Sequence, residues 1–238
     1  MTALRASLFP LMLATVARAF AQAPPQPATS AVDKTLRQAR EEIRSFETAG
    51  GKKGDPNHPV GKWVQALWAF REKSPRSPEA AKATSEAVHL LIHADRFQDA
   101  EARADQLASD EAAWEGLSQV LFEAASLQKN FAYFFKKLRS VLPNAPDPKV
   151  RAAIQLSLGR GWRAQTEDDK AKDAFQAAIE LARDSPSGRQ AETELYELLH
   201  LGSGQPAPEF STLAINGSHI SLADYRGKPL VLVFWSTS

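Results

Sequence analysis

The fold is constrained most by small and aromatic residues that recur at helical spacing in the second half of the chain. Gly159 and Ala171 are small, and Trp162 and Phe175 follow them by three and four residues. These separations place each small residue and its aromatic partner on one face of an α-helix. Small side chains let two helices approach closely. The spacing therefore predicts a helical hairpin, with Trp162 and Phe175 filling the gap to the next unit.

The complete pattern resembles the tetratricopeptide repeat, in which helical hairpins of about 34 residues stack side by side. The matching positions are Leu158, Gly159, Trp162, Ala171, Phe175 and Ala178. An earlier pair of helical stretches, at residues 81–91 and 97–107, carries Ala100 about two repeats before Ala171. Residues 112–142 fit a degenerate unit between the two pairs. The resemblance implies a short array whose concave surface binds protein partners, and an irregular helical bundle is the alternative.

Capping residues mark further helix starts. Ser30 is suited to cap a first helix. Ser77-Pro78 and Asp147-Pro148 each combine an N-cap residue with a proline that fits the first helical turn. The sequence therefore predicts that helices begin at all three places.

The N-terminus has the pattern of a secretory signal peptide. Arg5 precedes a short apolar run, and Ala19 and Ala21 place small residues at the −3 and −1 positions of a signal-peptidase site. Cleavage is predicted before Gln22, which makes residues 1–21 the signal peptide. We expect the mature protein to be exported, either to the periplasm or to the extracellular space.

Composition excludes several classes of function. Lys and Arg together number 29 and Asp and Glu 28, so no basic excess favours nucleic acid. The 238 residues contain no cysteine, which excludes disulfides, Cys-ligated metals and a cysteine nucleophile among them. No uninterrupted apolar run reaches the roughly 18 residues of a membrane-spanning helix. Aromatic residues beside two lysines are interpreted as a helix core with a charged edge: Phe131, Tyr133, Phe134, Phe135, Lys136 and Lys137.

Two histidines have a spacing that metal ligands use. His89 and His93 lie four residues apart, on one face of a helix. The intervening residues lack the glutamate of a zinc-peptidase motif, and the neighbouring sequence offers no third ligand. His58, His200 and His219 are scattered singly. We therefore predict no metal site, no cofactor and no catalytic residue among the 238 residues.

The pattern changes after residue 201. Phe210, Leu213 and Ile215 form an apolar set, and Asn216-Gly217 is a two-residue hairpin signal before a returning strand. The following run LVLVFW, residues 230–235, contains six consecutive apolar residues. Such a run is typical of a strand that is covered on both faces, as in the centre of a parallel or mixed sheet.

This segment resembles the opening of the redoxin branch of the thioredoxin-like superfamily. That branch includes alkyl hydroperoxide reductase/thiol-specific antioxidant proteins and membrane-associated thiol–disulfide oxidoreductases. The matching stretches are Ala207-Pro208-Glu209-Phe210, Asn216-Gly217, Ile220-Ser221-Leu222-Ala223-Asp224-Tyr225-Arg226-Gly227-Lys228-Pro229 and the run from Leu230 to Thr237. The match covers about the last 33 residues.

The resemblance implies an activity whose central residues are not in these 238 positions. In the family, the apolar strand leads to a Cys-x-x-Cys motif, whose thiolate attacks a substrate disulfide. The approach to that motif corresponds to Phe234, Trp235, Ser236, Thr237 and Ser238, and the first cysteine would come immediately after Ser238. We expect a fragment of an exported thiol–disulfide oxidoreductase, with disulfide or thiol substrates only for a full domain. A peroxiredoxin-type peroxidase and a cysteine-free helical scaffold are the alternatives.

The predicted fold class is mainly α: a tetratricopeptide-like helical hairpin array followed by the first β-strands of a truncated thioredoxin-like α/β domain. The expected segments are a signal peptide at 1–21, a linker at 22–32, the helical region at 33–201 and the opening of a redoxin domain at 202–238.

Overall fold

The computed structural model describes residues 30–202 and 204–233 and shows a mainly helical protein. The predicted signal peptide, most of the predicted linker, and Phe234 to Ser238 lie outside these residues. Nine α-helices occur in the described part: α1 Ala31–Thr48, α2 Val60–Lys73, α3 Pro78–His93, α4 Phe97–Asp105, α5 Trp114–Gln128, α6 Ala132–Val141, α7 Pro148–Ala164, α8 Asp168–Ala182 and α9 Pro186–His200. Among the described residues, no helix combines the length and apolar character needed to cross a membrane.

The predicted helix starts are confirmed by side-chain caps. The Ser30 hydroxyl accepts a hydrogen bond from the Asp33 amide, and Ser77 accepts one from Ala80. The Asp147 carboxylate accepts a hydrogen bond from the Lys149 amide. Each cap satisfies an N–H group that has no carbonyl partner within its own helix.

Four odd-numbered helices end in the same way. At the C-termini of α1, α3, α5 and α7, a backbone amide donates a hydrogen bond to the carbonyl five residues earlier. The residue just before each donor has a positive φ. The donor and acceptor pairs are Gly51 to Phe46, Arg96 to Leu91, Asn130 to Ala125 and Glu167 to Trp162. The residues with positive φ are Gly50, Asp95, Lys129 and Thr166. This combination is the Schellman motif, and it reverses the chain directly after α3, α5 and α7.

The odd-numbered helices also contact one another in sequence. Helix α3 contacts α5, α5 contacts α7, and α7 contacts α9. Small residues lie at these contacts. The Ser157 hydroxyl donates to the buried Ser118 hydroxyl across α7 and α5 at 3.1 Å. A Cβ atom on Gly116 would come within 2.9 Å of the Ser85 Oγ atom on α3. Close approach of these helices therefore depends on the small size of their contacting side chains.

Helix α7 is in contact with aromatic rings of α8, its partner in the same hairpin, and of α6 in the preceding hairpin. A Cβ on Gly159 would come within 2.4 Å of Phe175 of α8, and one on Gly161 within 2.4 Å of Phe134 of α6. The Trp162 ring stacks on Phe135 with centroids 3.9 Å apart. The Phe175 ring covers Gly159 within its own hairpin and belongs to a buried cluster that also contains Ala191 of α9. The Trp162 ring reaches the preceding hairpin through Phe135.

Two hydrophobic clusters form the core. The larger one extends from α1 to α8, and it includes buried Trp114, Phe134 and Leu158. The smaller one joins α7, α8 and α9 through Ala152, Leu156, Ala171, Phe175, Ala178 and Ala191. Trp162 packs against both clusters. All six predicted repeat-packing residues thus take part in helix packing, although Gly159 does so through the close approach of Phe175.

The C-terminal segment forms a short antiparallel hairpin of β1 Ser211–Leu213 and β2 His219–Ser221. The predicted two-residue turn is wrong by one residue. The Ala214 amide donates to the Ser218 carbonyl and the Gly217 amide to the Ala214 carbonyl, which leaves a three-residue loop. Gly217 has φ of +79° in that loop. A type I turn followed by a left-handed residue has this geometry, and glycine accepts the positive φ without steric cost.

The predicted strand over residues 230–235 is not formed in its described part. Leu230 to Val233 have no strand hydrogen bonding, and Val231 is 84% exposed. The physical reason is the size of the sheet: the described residues form only the two-stranded pairing of β1 and β2. An apolar strand needs neighbours on both edges to satisfy its backbone and cover its faces.

Candidate functional site

The redoxin-like segment is held in shape by local hydrogen bonds. The Leu222 amide donates to the Phe210 carbonyl at 3.1 Å and extends the hairpin. Ser221 and Asp224 form a reciprocal capping box at the start of a 3-10 turn over Leu222–Tyr225. Arg226 pairs with Glu209 and joins the two ends of the segment. The residues that carry the resemblance therefore form one local unit as far as Lys228.

The apolar residues that follow this unit are exposed. Leu230 and Leu232 are partly exposed, and Val231 and Val233 are more so. The predicted approach residues Phe234 to Ser238 are outside the described part of the chain. The segment thus presents an apolar stretch beside the hairpin, and the 238 residues contain no cysteine that could perform thiol chemistry.

The aromatic residues at 131–135 form a packed cluster. Phe134 is buried, and its ring meets those of Phe131 and Phe135 edge-on. The Tyr133 hydroxyl donates to the Asp105 carboxylate at 2.9 Å. These rings join α6 to its neighbours, as the interpretation of a helix core with a charged edge requires.

A second site emerges where α3 and α5 meet. The Nε2 atoms of His89 and His93 are 3.0 Å apart, and the His89 Nε2 atom is 3.2 Å from a carboxylate oxygen of Glu123. All three potential ligand atoms lie within 4.8 Å of one another. His93 is exposed, whereas His89 and Glu123 are half-buried. We call these three residues the histidine cluster.

The histidine cluster adjoins an open cleft of about 420 Å³ between α1, α3 and the loop after α1. Both histidines line this cleft, together with cationic and carboxylate side chains: Arg40, Arg44, Lys53, Glu47 and Glu86. Arg40 and Glu86 form an ion pair at 3.3 Å. The pKa of His93 is lowered below its ordinary value. Loss of hydration is the largest cause, and the nearby His89 is the second. A lowered pKa keeps an imidazole neutral, with a free lone pair, at neutral pH.

His58 lines the same cleft and is buried. Its Nδ1 atom accepts a hydrogen bond from the Val60 amide at 3.2 Å, so the proton resides on Nε2. That Nε2 atom has no hydrogen-bond partner, and the nearest carboxylate oxygen, from Glu47, is 3.8 Å away. The Phe46 and His58 rings pack in a T-shaped arrangement, with their centroids 5.1 Å apart. His58 therefore closes one side of the cleft.

The remaining histidines lie elsewhere. His200 packs on Tyr196 with ring centroids 4.7 Å apart, at the end of α9. His219 lies in the hairpin, where its Nδ1 atom is 3.3 Å from the Ser211 hydroxyl. The structure thus brings His89 and His93 together with Glu123, whereas His200 and His219 lie apart from this cluster.

Sequence reasoning missed Glu123 because it lies on a separate helix, 30 residues after His93. Only the packing of α5 against α3 makes it a neighbour.

Comparison with known proteins does not add a family to these observations. No protein-family model matches the chain, and no curated protein matches it.

Proposed function

We propose that this chain carries the opening of a redoxin-type thiol–disulfide oxidoreductase, preceded by a tetratricopeptide-like helical array that binds a protein partner. We further propose that the protein is exported, on the basis of the pattern at residues 1–21. Because the 238 residues hold no cysteine, the proposed reaction requires cysteines from outside them.

The observation that supports the redoxin part best is the local unit formed by residues 207–228. The stretch that resembles the family forms a continuous element: hairpin, capped 3-10 turn and ion pair. The exposed apolar residues Leu230 to Val233 follow it directly. In a thioredoxin-like sheet, an apolar strand of this kind lies between neighbouring strands and under helices, where its side chains are buried.

The observation that supports a tetratricopeptide-like array is the repeated turn. Schellman motifs end α3, α5 and α7, and the odd-numbered helices contact one another in series. Stacked hairpins create a surface without chemistry of its own, which suits a role in holding a partner near a redox domain.

The proposal is tested by insulin reduction with the protein translated from the natural reading frame. We expect thiol-dependent turnover that is lost when the first cysteine of a Cys-x-x-Cys motif is replaced by serine. The matched control replaces the exposed Ser126 by alanine and should leave turnover unchanged. Peroxide consumption without insulin reduction would favour the peroxidase alternative. Absence of both activities would contradict the proposal.

A further inference from the structure

We propose that His89, His93 and Glu123 form a binding site for Zn²⁺, with three protein ligands and a fourth position open to the cleft. This inference is independent of the proposed redox function, because all three proposed ligands lie on α3 and α5.

The proton count of the histidine cluster favours a cation. The His89 Nε2 atom lies 3.0 Å from His93 Nε2 and 3.2 Å from Glu123. One neutral nitrogen either donates a proton or offers a lone pair, and it cannot do both. If the His89 Nε2 proton is donated to Glu123, it is not available for a hydrogen bond to His93. If His93 donates to His89, the His89 lone pair faces the Glu123 carboxylate. A metal ion satisfies all three donor atoms at once.

The distances are close to those of a metal site. In tetrahedral zinc sites with Zn–N and Zn–O bonds of about 2.0–2.1 Å, two ligand atoms lie roughly 3.3 Å apart. The two short separations in the cluster, 3.0 and 3.2 Å, are near this value. The third pair, His93 and Glu123, lies within 4.8 Å.

The backbone also favours a cation at this place. His89 and His93 lie in the last turns of α3, where the negative end of the helix dipole attracts positive charge. The two histidines share one helix face, and α5 packs against α3 and brings Glu123 toward them. Two of the three ligands are thus fixed relative to each other by a regular helix before any metal binds.

The charges around the site are balanced. The cationic Arg40, Arg44 and Lys53 line the adjacent cleft, and Arg40 is paired with Glu86. Carboxylates of Glu47, Glu86 and Glu123 oppose them. A divalent ion therefore meets no uncompensated positive field.

The donor set identifies the class of metal. Two imidazole nitrogens and one carboxylate suit Zn²⁺ and its chemical neighbours, whereas Mg²⁺ and Ca²⁺ prefer all-oxygen sites. Three protein ligands with one free position are typical of zinc sites that bind water or an exogenous ligand. The cleft beside His93 provides access to that position.

The test uses the 238-residue protein, freed of metal with a chelator and titrated with Zn²⁺ by calorimetry. Co²⁺ serves as a second probe, because its visible absorption reports nitrogen and oxygen ligands in a tetrahedral field. We expect one Zn²⁺ per chain and a loss of affinity of at least tenfold in His93→Ala and in Glu123→Gln. Competition with excess Mg²⁺ should not displace the ion.

His200→Ala and His219→Ala are the matched controls, and both should bind Zn²⁺ as the unaltered protein does. Circular dichroism of each metal-free variant establishes that the helices are intact. If His93→Ala fails to fold, Glu123→Gln, which keeps the side-chain shape, decides the outcome. Absence of Zn²⁺ binding, or unchanged affinity in both cluster variants, would overturn the proposal.

Discussion

Gly159 of α7 lies directly beneath the ring of Phe175 of α8, so close that a Cβ atom on Gly159 would come within 2.4 Å of the Phe175 Cε1 atom. This contact sets the separation of the two helices. Phe175 is fully buried, and cannot move aside without leaving the core cluster that it shares with Ala171 and Ala178.

Gly159→Ala is expected to destabilise the protein by about 1–2 kcal/mol. Overpacking in a core costs roughly 1–3 kcal/mol, and the better helix propensity of alanine offsets up to about 1 kcal/mol of this. Urea unfolding followed by circular dichroism measures the change. Gly61→Ala is the control, because its Cβ would meet only the end of the Arg96 side chain at 3.5 Å. A neutral Gly159→Ala would contradict the close packing.

Lys129→Gly is expected to stabilise the protein by about 0.5–1 kcal/mol. Lys129 ends α5 with φ of +51°, a conformation in which a Cβ atom costs roughly 1–2 kcal/mol. Thermal unfolding should show a raised midpoint. Lys136→Gly, at an exposed position within α6, should instead lower stability by about 1 kcal/mol. Equal effects at both positions would show that the turn after α5 is not left-handed.

Arg71→Met is expected to cost about 3 kcal/mol of stability. The Arg71 guanidinium donates to both carboxylate oxygens of Glu111 at 2.6 and 2.8 Å, and Glu111 is only 6% exposed. Removing Arg71 leaves the buried Glu111 carboxylate without its cationic partner and with only the Ala108 amide as a donor. The double variant Arg71→Met, Glu111→Gln should recover part of the loss. Arg76→Met breaks the exposed pair with Asp110 and should cost less than about 1 kcal/mol.

Tyr133→Phe is expected to cost about 1 kcal/mol at pH 7, the usual net value of a hydrogen bond. Burial of Asp105 opposes its ionisation, but hydrogen bonds from Lys137 and Tyr133 outweigh burial and lower the pKa of Asp105 below its ordinary 3.8. A lowered folded pKa contributes stability above about pH 4, which is lost as the pH falls through the folded value.

The difference in the free energy of unfolding between the unaltered protein and Tyr133→Phe should therefore be constant from pH 7 to pH 5 and shrink below pH 4. Denaturant unfolding across this range measures it. Lys172→Ala, at an exposed position of α8 that is not among the groups that shift the pKa of Asp105, serves as the control. A difference that grows as the pH falls would contradict the assigned role of Asp105.

Local chemistry explains which features could be predicted from the sequence. Ser30, Ser77 and Asp147 cap helices because the caps depend only on neighbouring residues. The packing role of Gly159 could also be inferred, because helical spacing places it beside Trp162. These are short-range signals.

Features that depend on tertiary contacts could not be predicted. Glu123 joins His89 only through the packing of α5 on α3. Spacing alone shows which helix face Phe175 lies on, and the structure adds that its ring contacts Gly159 of α7. The strand over 230–235 was predicted from apolar character alone, whereas strand formation requires a partner that the described residues do not supply.

The natural coding sequence from the codon for Ser238 onward tests whether residues 202–238 open a redoxin domain. We predict a Cys-x-x-Cys motif whose first cysteine directly follows Ser238. A reading frame without cysteines at that place would contradict it.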